Sequence, residues 1–110
     1  SYILNNSKGS NPWAEIEIEI EGKLFKEKAI GDGQFNAFMN AVKKMFKNNK
    51  LIIPILIDYN VTIPPESNSD AFCETLITWK NSNKEFITRG LDSDQTVSAI
   101  KATEKMLNII

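Results

Sequence analysis

Residues 13–21 read Trp-Ala-Glu-Ile-Glu-Ile-Glu-Ile-Glu. Ile16, Ile18 and Ile20 alternate with Glu15, Glu17, Glu19 and Glu21. This is period two, which only a strand converts into one buried isoleucine face and one wet glutamate face. Gly22-Lys23 reads as a tight turn. A return strand over 24–30 brings Lys26 and Lys28 opposite the glutamates. Such cross-strand Glu–Lys pairs offset carboxylate repulsion by a few tenths of a kcal/mol each.

The period then changes. After Gly31-Asp32-Gly33, the residues Phe35, Phe38, Met39, Val42, Met45 and Phe46 fall at helical spacing along one stripe. Lys43, Lys44 and Lys47 lie off the stripe or near the C-terminal end, where cations suit the helix dipole. Asn48-Asn49 ends the helix. Residues 51–63 form a long apolar, β-branched run with Pro54 near its start, a place where a strand tolerates proline. Pro64-Pro65 stops it, and 66–69 is a polar loop. A strand is expected over 71–79, a turn at Asn81-Ser82-Asn83 and a return strand over 85–89. Gly90-Leu91-Asp92-Ser93-Asp94-Gln95 follows, then a helix to about 108. Its apolar face uses Val97, Ile100, Thr103 and Leu107, with Ala99, Ala102 and Met106 beside them. Asp92 and Gln95 stand at capping-box spacing.

The halves repeat one another. Tyr2 matches Tyr59, Ala14 matches Ala71, Gly31 matches Gly90, Ala41 matches Ala102 and Met45 matches Met106. The offset drifts, as if by one small insertion in the hairpin turn and one at the helix start. The expectation is an α+β fold, internally duplicated as βββα-βββα. Each half is an antiparallel three-stranded unit followed by a helix, with repeat one about 1–50 and repeat two about 51–110. The bland alternative is that any two α+β halves share this outline; the matched identities favour duplication. Each half leaves a sheet face bare that the other could cover.

The chain has 110 residues, which suits one domain. It has no histidine, so Ser-His-Asp and Cys-His nucleophiles and His-ligated metals are excluded. Cys73 is its one cysteine, so no internal disulfide can form. Thirteen Lys+Arg against 14 Asp+Glu argue against nucleic-acid binding by bulk charge. No apolar run approaches the ~20 residues of a membrane span. Residues 1–11 show no signal-peptide pattern, and a cytoplasmic location is expected. The start at Ser1 suggests a piece of a longer chain.

The two glycine turns are the best candidates for chemistry. Gly31 and Gly33 could take positive φ or let a ligand approach closely. The helix start beyond offers N–H groups and partial positive charge to a carboxylate or phosphate. Asp32 and Asp92 beside the two helix starts fit an amino-acid zwitterion better than a phosphate. On local pattern alone the stronger reading is that the aspartates are N-caps and the glycines only turn the chain. Gly31-Asp32-Gly33 is neither a dinucleotide fingerprint nor a P-loop. The glutamate row reads as a solvated strand face, because alternate strand residues stand ~7 Å apart and do not converge on one ion; no metal site is expected. Cys73 reads as a buried, inert thiol. Trp13 and Trp79 read as core or subunit interface.

Several of these segments resemble one family. Gly31-Asp32-Gly33-Gln34-Phe35-Asn36-Ala37 is similar to the Gly-Asp-Gly-Pro-x-Asp-Ala segment of the C-terminal regulatory domain of 2-isopropylmalate synthases. Leu56-Ile57-Asp58-Tyr59-Asn60-Val61 resembles its Leu-x-Asp-Tyr-x-Val strand, and Asp70-Ala71 its Asp-Ala strand entry. Arg89-Gly90-Leu91-Asp92-Ser93-Asp94, with Ser98-Ala99-Ile100-Lys101-Ala102 and Leu107-Asn108, resembles its second glycine turn and closing helix. The likeness runs through the whole chain in order. It departs at Gln34, usually proline, and at Asn36, usually aspartate.

The resemblance implies a leucine-binding, dimerising regulatory domain of an acyltransferase that condenses acetyl-CoA with 2-oxoisovalerate in leucine biosynthesis. It implies feedback inhibition through Gly31, Asp32, Gly33, Phe35 and Asn36, with Tyr59, Ile63, Ala71, Gly90 and Asp92 as further members. Catalysis and a divalent metal would belong to a separate barrel, leaving no cofactor and no catalytic residue here. Rival expectations are an isoleucine-sensing domain of a citramalate synthase and a dimerisation module that binds no effector. An autonomous enzyme is disfavoured, for no convergent catalytic set is visible.

Overall fold

The computed structural model describes residues 2–4, 11–20, 22–63 and 72–109. Glu21, Pro64-Pro65, the loop 66–69 and the Asp70-Ala71 strand entry lie outside them. The element order is three strands, a helix, three strands, a helix, which is the expected βββα-βββα. The chain divides into two compact units, Ser1–Ile53 and Pro54–Ile110.

In the first unit β1 (Tyr2–Leu4), β2 (Trp13–Ile20) and β3 (Lys23–Ile30) form an antiparallel sheet in that order, followed by α1 (Gln34–Asn48). Ile20 pairs with Lys23, so the turn centres on Gly22, whose φ of 81° needs glycine. The return strand therefore begins one residue earlier than the pattern suggested. Ala14 and Ile16 are buried, while Glu15 faces Lys28 and Glu17 faces Lys26 on the opposite surface. Lys26 Nζ lies 3.7 Å from Glu17 Oε2. Lys28 Nζ lies 4.3 Å from the centre of the Trp13 ring, so half-buried Trp13 belongs to the outer, charged face rather than to the core. Ile18 is only half-buried.

Helix α1 buries Ala37, Phe38, Met39, Ala41, Val42, Met45 and Phe46, the stripe expected from spacing plus two alanines but without Phe35, which is half-buried at the helix start. Its end is a Schellman turn. Lys50 N–H donates to Lys47 O at 3.2 Å, Leu51 N–H donates to Phe46 O at 2.8 Å, and Lys50 itself takes φ 56°.

In the second unit β4 (Ile55–Thr62), β5 (Cys73–Asn81) and β6 (Lys84–Asp92) form an antiparallel sheet in that order, followed by α2 (Gln95–Ile109). The strand in the run 51–63 starts only after Pro54, and almost all of it is exposed. Ser82, at φ 58°, turns β5 into β6. Helix α2 buries Ser98, Ala99, Ile100, Ala102, Thr103 and Met106. Its buried stripe is thus centred on small residues, and the expected face members Val97 and Leu107 sit half-buried at its margins. Trp79 is fully buried, with Nε1–H donating to Thr88 Oγ1 at 2.8 Å. The hydroxyls of Thr75 and Ser98 are 2.6 Å apart, and Thr103 Oγ1 donates to Ala99 O at 3.0 Å. Among the described residues no buried side-chain polar atom is left without a partner. Cys73 is half-buried rather than buried, its Sγ 3.8 Å from Ser93 O.

The glycines act differently from the expectation. Neither Gly31 nor Gly33 has positive φ; Gly33 is extended, at φ −150°. Gly90 is no turn residue but a member of β6, paired with Thr75. A Cβ on Gly31 would lie 2.5 Å from Ala37 N and 2.4 Å from Asn36 Oδ1. A Cβ on Gly90 would lie 1.9 Å from Ser98 O and 2.7 Å from Ala102 N. Glycine is there because the helix backbone lies directly against the strand.

Counting from these glycines also corrects the repeat. Ala14 pairs with Ala29, two residues before Gly31, and Ile77 pairs with Thr88, two residues before Gly90. Ala14 therefore corresponds to Ile77 rather than Ala71. The second hairpin is the shorter one from its turn to its glycine, whereas the insertion between glycine and helix is real.

Gly90→Ala should lower stability by about 2–3 kcal/mol, since the clash is with helix backbone that cannot rotate away. Gly33→Ala should cost only about 0.5 kcal/mol, the price of a poorer cap, because nothing lies within 4 Å of its added Cβ. Urea unfolding midpoints of the two variants check this, and equal losses would contradict it.

Candidate functional site

The strand-to-helix junctions are the places where chain polarity, charge and backbone donors meet. In the first unit Gly31 N–H donates to Pro12 O at 3.0 Å, carrying the ladder one residue past β3. Asp32 N–H then donates to Asn36 Oδ1 at 2.9 Å. Asn40 Nδ2 donates to Ile30 O at 3.0 Å and to Asn36 Oδ1 at 3.3 Å. Two asparagines one helical turn apart thus fasten the helix start to the strand end. Asn36 Oδ1 is occupied by this internal work.

Gly33 is the N-cap, with no side-chain cap bond, and the first turn of α1 holds no acid. Asp32 is therefore not an N-cap. Its carboxylate is exposed, and no side chain among the described residues pairs with it. Phe35 is half-buried and stacks on Phe38, ring centroids 6.2 Å apart at 19°. The junction brings together Gly31, Asp32, Gly33, Phe35 and Asn36, beside a helix N-terminus whose positive end is not cancelled by an acid of its own.

The second junction is built otherwise. Asp94, not Asp92, caps α2: its Oδ1 accepts Val97 N–H at 3.0 Å, and its carbonyl accepts Ser98 N–H at 2.9 Å. Asp92 stands two residues earlier and closes the bend, its Oδ2 accepting Asp94 N–H at 2.9 Å. Lys101 Nζ donates to Asp92 Oδ1 at 3.0 Å and to Leu91 O at 3.2 Å. The Asp94 N–H and then Lys101 hold the Asp92 carboxyl below its ordinary value, against slight desolvation. Gly90 lines an open groove of about 390 Å³ together with Leu91, Lys101, Glu104, Lys105 and Asn108.

Tyr59 and Ile63 are not beside Gly90 and Asp92 in this sheet, because β5 separates β4 from β6. Tyr59 pairs with Ile77, and partial burial pushes its phenol up. Ile63 follows the last residue of β4 and is exposed. Ala71 lies outside the described residues. Pattern reading missed Asn40, Lys101 and Asp94. Asn40 could have been found as the i+4 neighbour of Asn36 on one helix face. Asp94 could have been found as an aspartate standing directly before the helix.

A third cluster ties α1 to β3. Glu27 accepts from Asn48 Nδ2 at 3.0 Å, and Lys44 Nζ lies 3.4 Å from it while also donating to Lys28 O at 3.3 Å. Desolvation pushes the Glu27 carboxyl up, but bonds from Asn48, Lys44 and the Lys28 backbone, with the Lys44 charge, hold it below its ordinary value. Among the described residues no group of three His, Cys, Asp or Glu side chains could hold a metal ion, and no helix is long and apolar enough to cross a membrane.

Comparison with known proteins adds a family. The family model of the LeuA allosteric (dimerisation) domain matches residues 1–110. A 2-isopropylmalate synthase of Methylorubrum populi is 30% identical over 95 residues, covering 86% of this chain and 17% of that protein. A putative (R)-citramalate synthase of Archaeoglobus fulgidus is 26% identical over 105 residues, covering 96% of this chain and 21% of that protein. A 2-isopropylmalate synthase of Aquifex aeolicus is 28% identical over 98 residues, 88% of this chain and 18% of its own length. The chain thus spans about a fifth of the curated relatives it matches.

The Glu27 cluster sets a pH dependence. Its carboxyl is more acidic folded than unfolded, so its stabilisation is fully present above about 4.5 and is lost as pH falls below that value. Glu27→Gln should cost under about 1 kcal/mol at pH 7, because its partner Lys44 is largely exposed and the pair is screened by solvent. The variant should also show a flatter loss of stability on acidification than the parent. Parallel urea titrations from pH 7 to 3 measure the two slopes; identical slopes would remove the cluster's role.

Proposed function

The chain belongs to the LeuA allosteric (dimerisation) domain family, and from that premise we propose that it is the regulatory part of a 2-isopropylmalate synthase-type acyltransferase, binding leucine as feedback inhibitor and acting as a cytoplasmic homodimer. The observation that carries the effector reading is the first junction. An α-helix begins there without a side-chain cap or a first-turn acid, next to the exposed, unpaired carboxylate of Asp32. A helix N-terminus suits the α-carboxylate of an amino acid. Asp32 suits its ammonium. Phe35 offers apolar surface to a branched side chain.

Regulation would follow if the effector favours one arrangement of the dimer over another, a coupling of ~1–3 kcal/mol in ordinary allosteric proteins. Condensation of acetyl-CoA with 2-oxoisovalerate, and the divalent metal that assists it, would reside in the remainder of the parent protein. The match to a putative citramalate synthase over 96% of this chain supports a second reading, in which isoleucine is the effector. Shape alone separates the two amino acids, and a pocket distinguishes such isomers by about 1–3 kcal/mol.

Titration calorimetry of the chain against leucine, isoleucine and valine tests this. Saturable heat is expected with leucine, or with isoleucine under the second reading. Asp32→Asn should weaken binding roughly tenfold, as loss of a charge-assisted bond does. A folded dimer that gives no heat with any of the three would be a dimerisation module only.

A further inference from the structure

Four aspartates lie among the described residues: Asp32, Asp58, Asp92 and Asp94. Three of them have carboxylates bound into the fold. Asp58 Oδ1 accepts Tyr59 N–H at 3.0 Å, and its Oδ2 accepts Asn60 Nδ2 at 2.9 Å. Asp92 accepts Asp94 N–H and Lys101 Nζ, and Asp94 accepts Val97 N–H. The Asp32 carboxylate is exposed and has no such partner among the described residues. Asp32 is also the one of the four that glycine follows; the others precede Tyr59, Ser93 and Gln95.

An aspartyl carboxyl is attacked by the main-chain nitrogen of the next residue when three conditions hold. The carboxyl must be free to swing, the N–H must be outside any hydrogen bond, and the nitrogen must be uncrowded. Asp32-Gly33 meets all three. Gly33 N–H has no acceptor among the described residues. Gly33 precedes the first residue of α1, so its nitrogen stands outside the helix ladder. The residue is extended, at φ −150°, and a Cβ added to it would meet nothing within 4 Å.

We infer that Asp32 isomerises spontaneously in the folded chain, through a cyclic imide to isoaspartate. The lone pair of the Gly33 nitrogen forms a bond to Asp32 Cγ. The protonated carboxyl gives up its hydroxyl and the nitrogen its proton, so one water leaves. Water then adds back at either imide carbonyl. Addition at Cγ restores aspartate. Addition at the main-chain carbonyl of Asp32 breaks its bond to the Gly33 nitrogen, and the chain then runs through Cβ and Cγ. The backbone is one methylene longer, and the free carboxylate stands on Cα. Both flanks are fixed, Gly31 N–H to Pro12 O and Ala37 N–H to Gly33 O. The added length is taken up between them, and the acid moves relative to the start of α1. On the effector reading, on which this consequence rests, an isomerised chain loses its ammonium acceptor and with it the response to the amino acid.

Peptide mapping with electron-transfer fragmentation, which distinguishes isoaspartate from aspartate, tests this on chain held for weeks at neutral pH and physiological temperature. Folded parent, parent unfolded in urea, and Gly33→Ala are compared. Isoaspartate is expected at Asp32 and not at Asp58, Asp92 or Asp94, and the folded chain should form it within several-fold of the rate in urea. Gly33→Ala, which leaves the fold intact, should slow it several-fold by restricting the attacking residue. Asp32→Asn should close the same ring faster, with loss of ammonia, since an amide is a better electrophile than a carboxylate. A folded parent without isoaspartate at Asp32 overturns the inference, whatever the chain in urea does, and so does equal accumulation at all four aspartates. The mapping involves no effector, so a chain that fails to bind leucine leaves the modification standing. An isomer-enriched chain that binds leucine as fresh chain does removes the consequence for regulation alone.

Discussion

Contact between helix backbone and strand backbone, made at Gly31 and again at Gly90, is the constraint from which much of each unit follows. Where a strand approaches a helix this closely, the helix must present small residues. In α2 these are Ser98, Ala99 and Ala102. In α1 they are Ala37 and Ala41. Small residues bury little apolar area apiece, so large side chains farther along must supply the core: Phe38, Met45 and Phe46 in one unit, Trp79, Ile100 and Met106 in the other. Close approach also brings polar atoms inside. Ser98 is buried near Gly90, and its hydroxyl meets that of Thr75 on the central strand. A hydrogen bond there stabilises modestly, but an orphaned hydroxyl would cost about 1–3 kcal/mol. The pair therefore specifies how α2 sits on its sheet as much as it stabilises it.

The order of elements was legible because each period is enforced by burial. The Ile–Glu alternation of β2 and the stripe of α1 each have one face in water and one against the other element. The spacing of large residues misplaces the α2 stripe, because close packing selects small residues and moves Val97 and Leu107 aside. The glycines were misread for a related reason. Sequence shows that a position lacks a side chain; it does not show whether dihedral freedom or space requires that. Only the distances from a built Cβ to Ser98 O and Ala37 N decide between them. The cap at Asp94 was missed because Asp92 has the right spacing to Gln95. In the folded chain Asp92 instead holds the bend that places Asp94 at the cap.

Half of the expected effector set was legible as a physical cluster. Gly31, Asp32, Gly33, Phe35 and Asn36 are consecutive or nearly so, and one junction gathers them. Tyr59 and Ile63 enter through family likeness, whereas Gly90 and Asp92 belong to the second glycine turn that the residues themselves single out, and β5 separates the strand of Tyr59 from theirs. Tyr59 lies in β4 and Ile63 just beyond its end, both exposed.

The two junctions show what duplication preserves and what it releases. The backbone requirement survives in both halves, because any side chain at Gly31 or Gly90 would push helix from strand. The electrostatics have diverged. At the second junction Asp94 satisfies the helix N-terminus and Lys101 neutralises Asp92, so its polar groups are turned inward on one another. At the first junction the helix has no side-chain cap, and Asn36 fastens the bend with a neutral amide. An amide can hold Asp32 N–H without placing negative charge in the first turn. Aspartate there would make the same bond and oppose an incoming carboxylate. Asn36 therefore leaves Asp32 as the one acid of this junction among the described residues, and leaves the helix terminus more, not less, receptive to an anion.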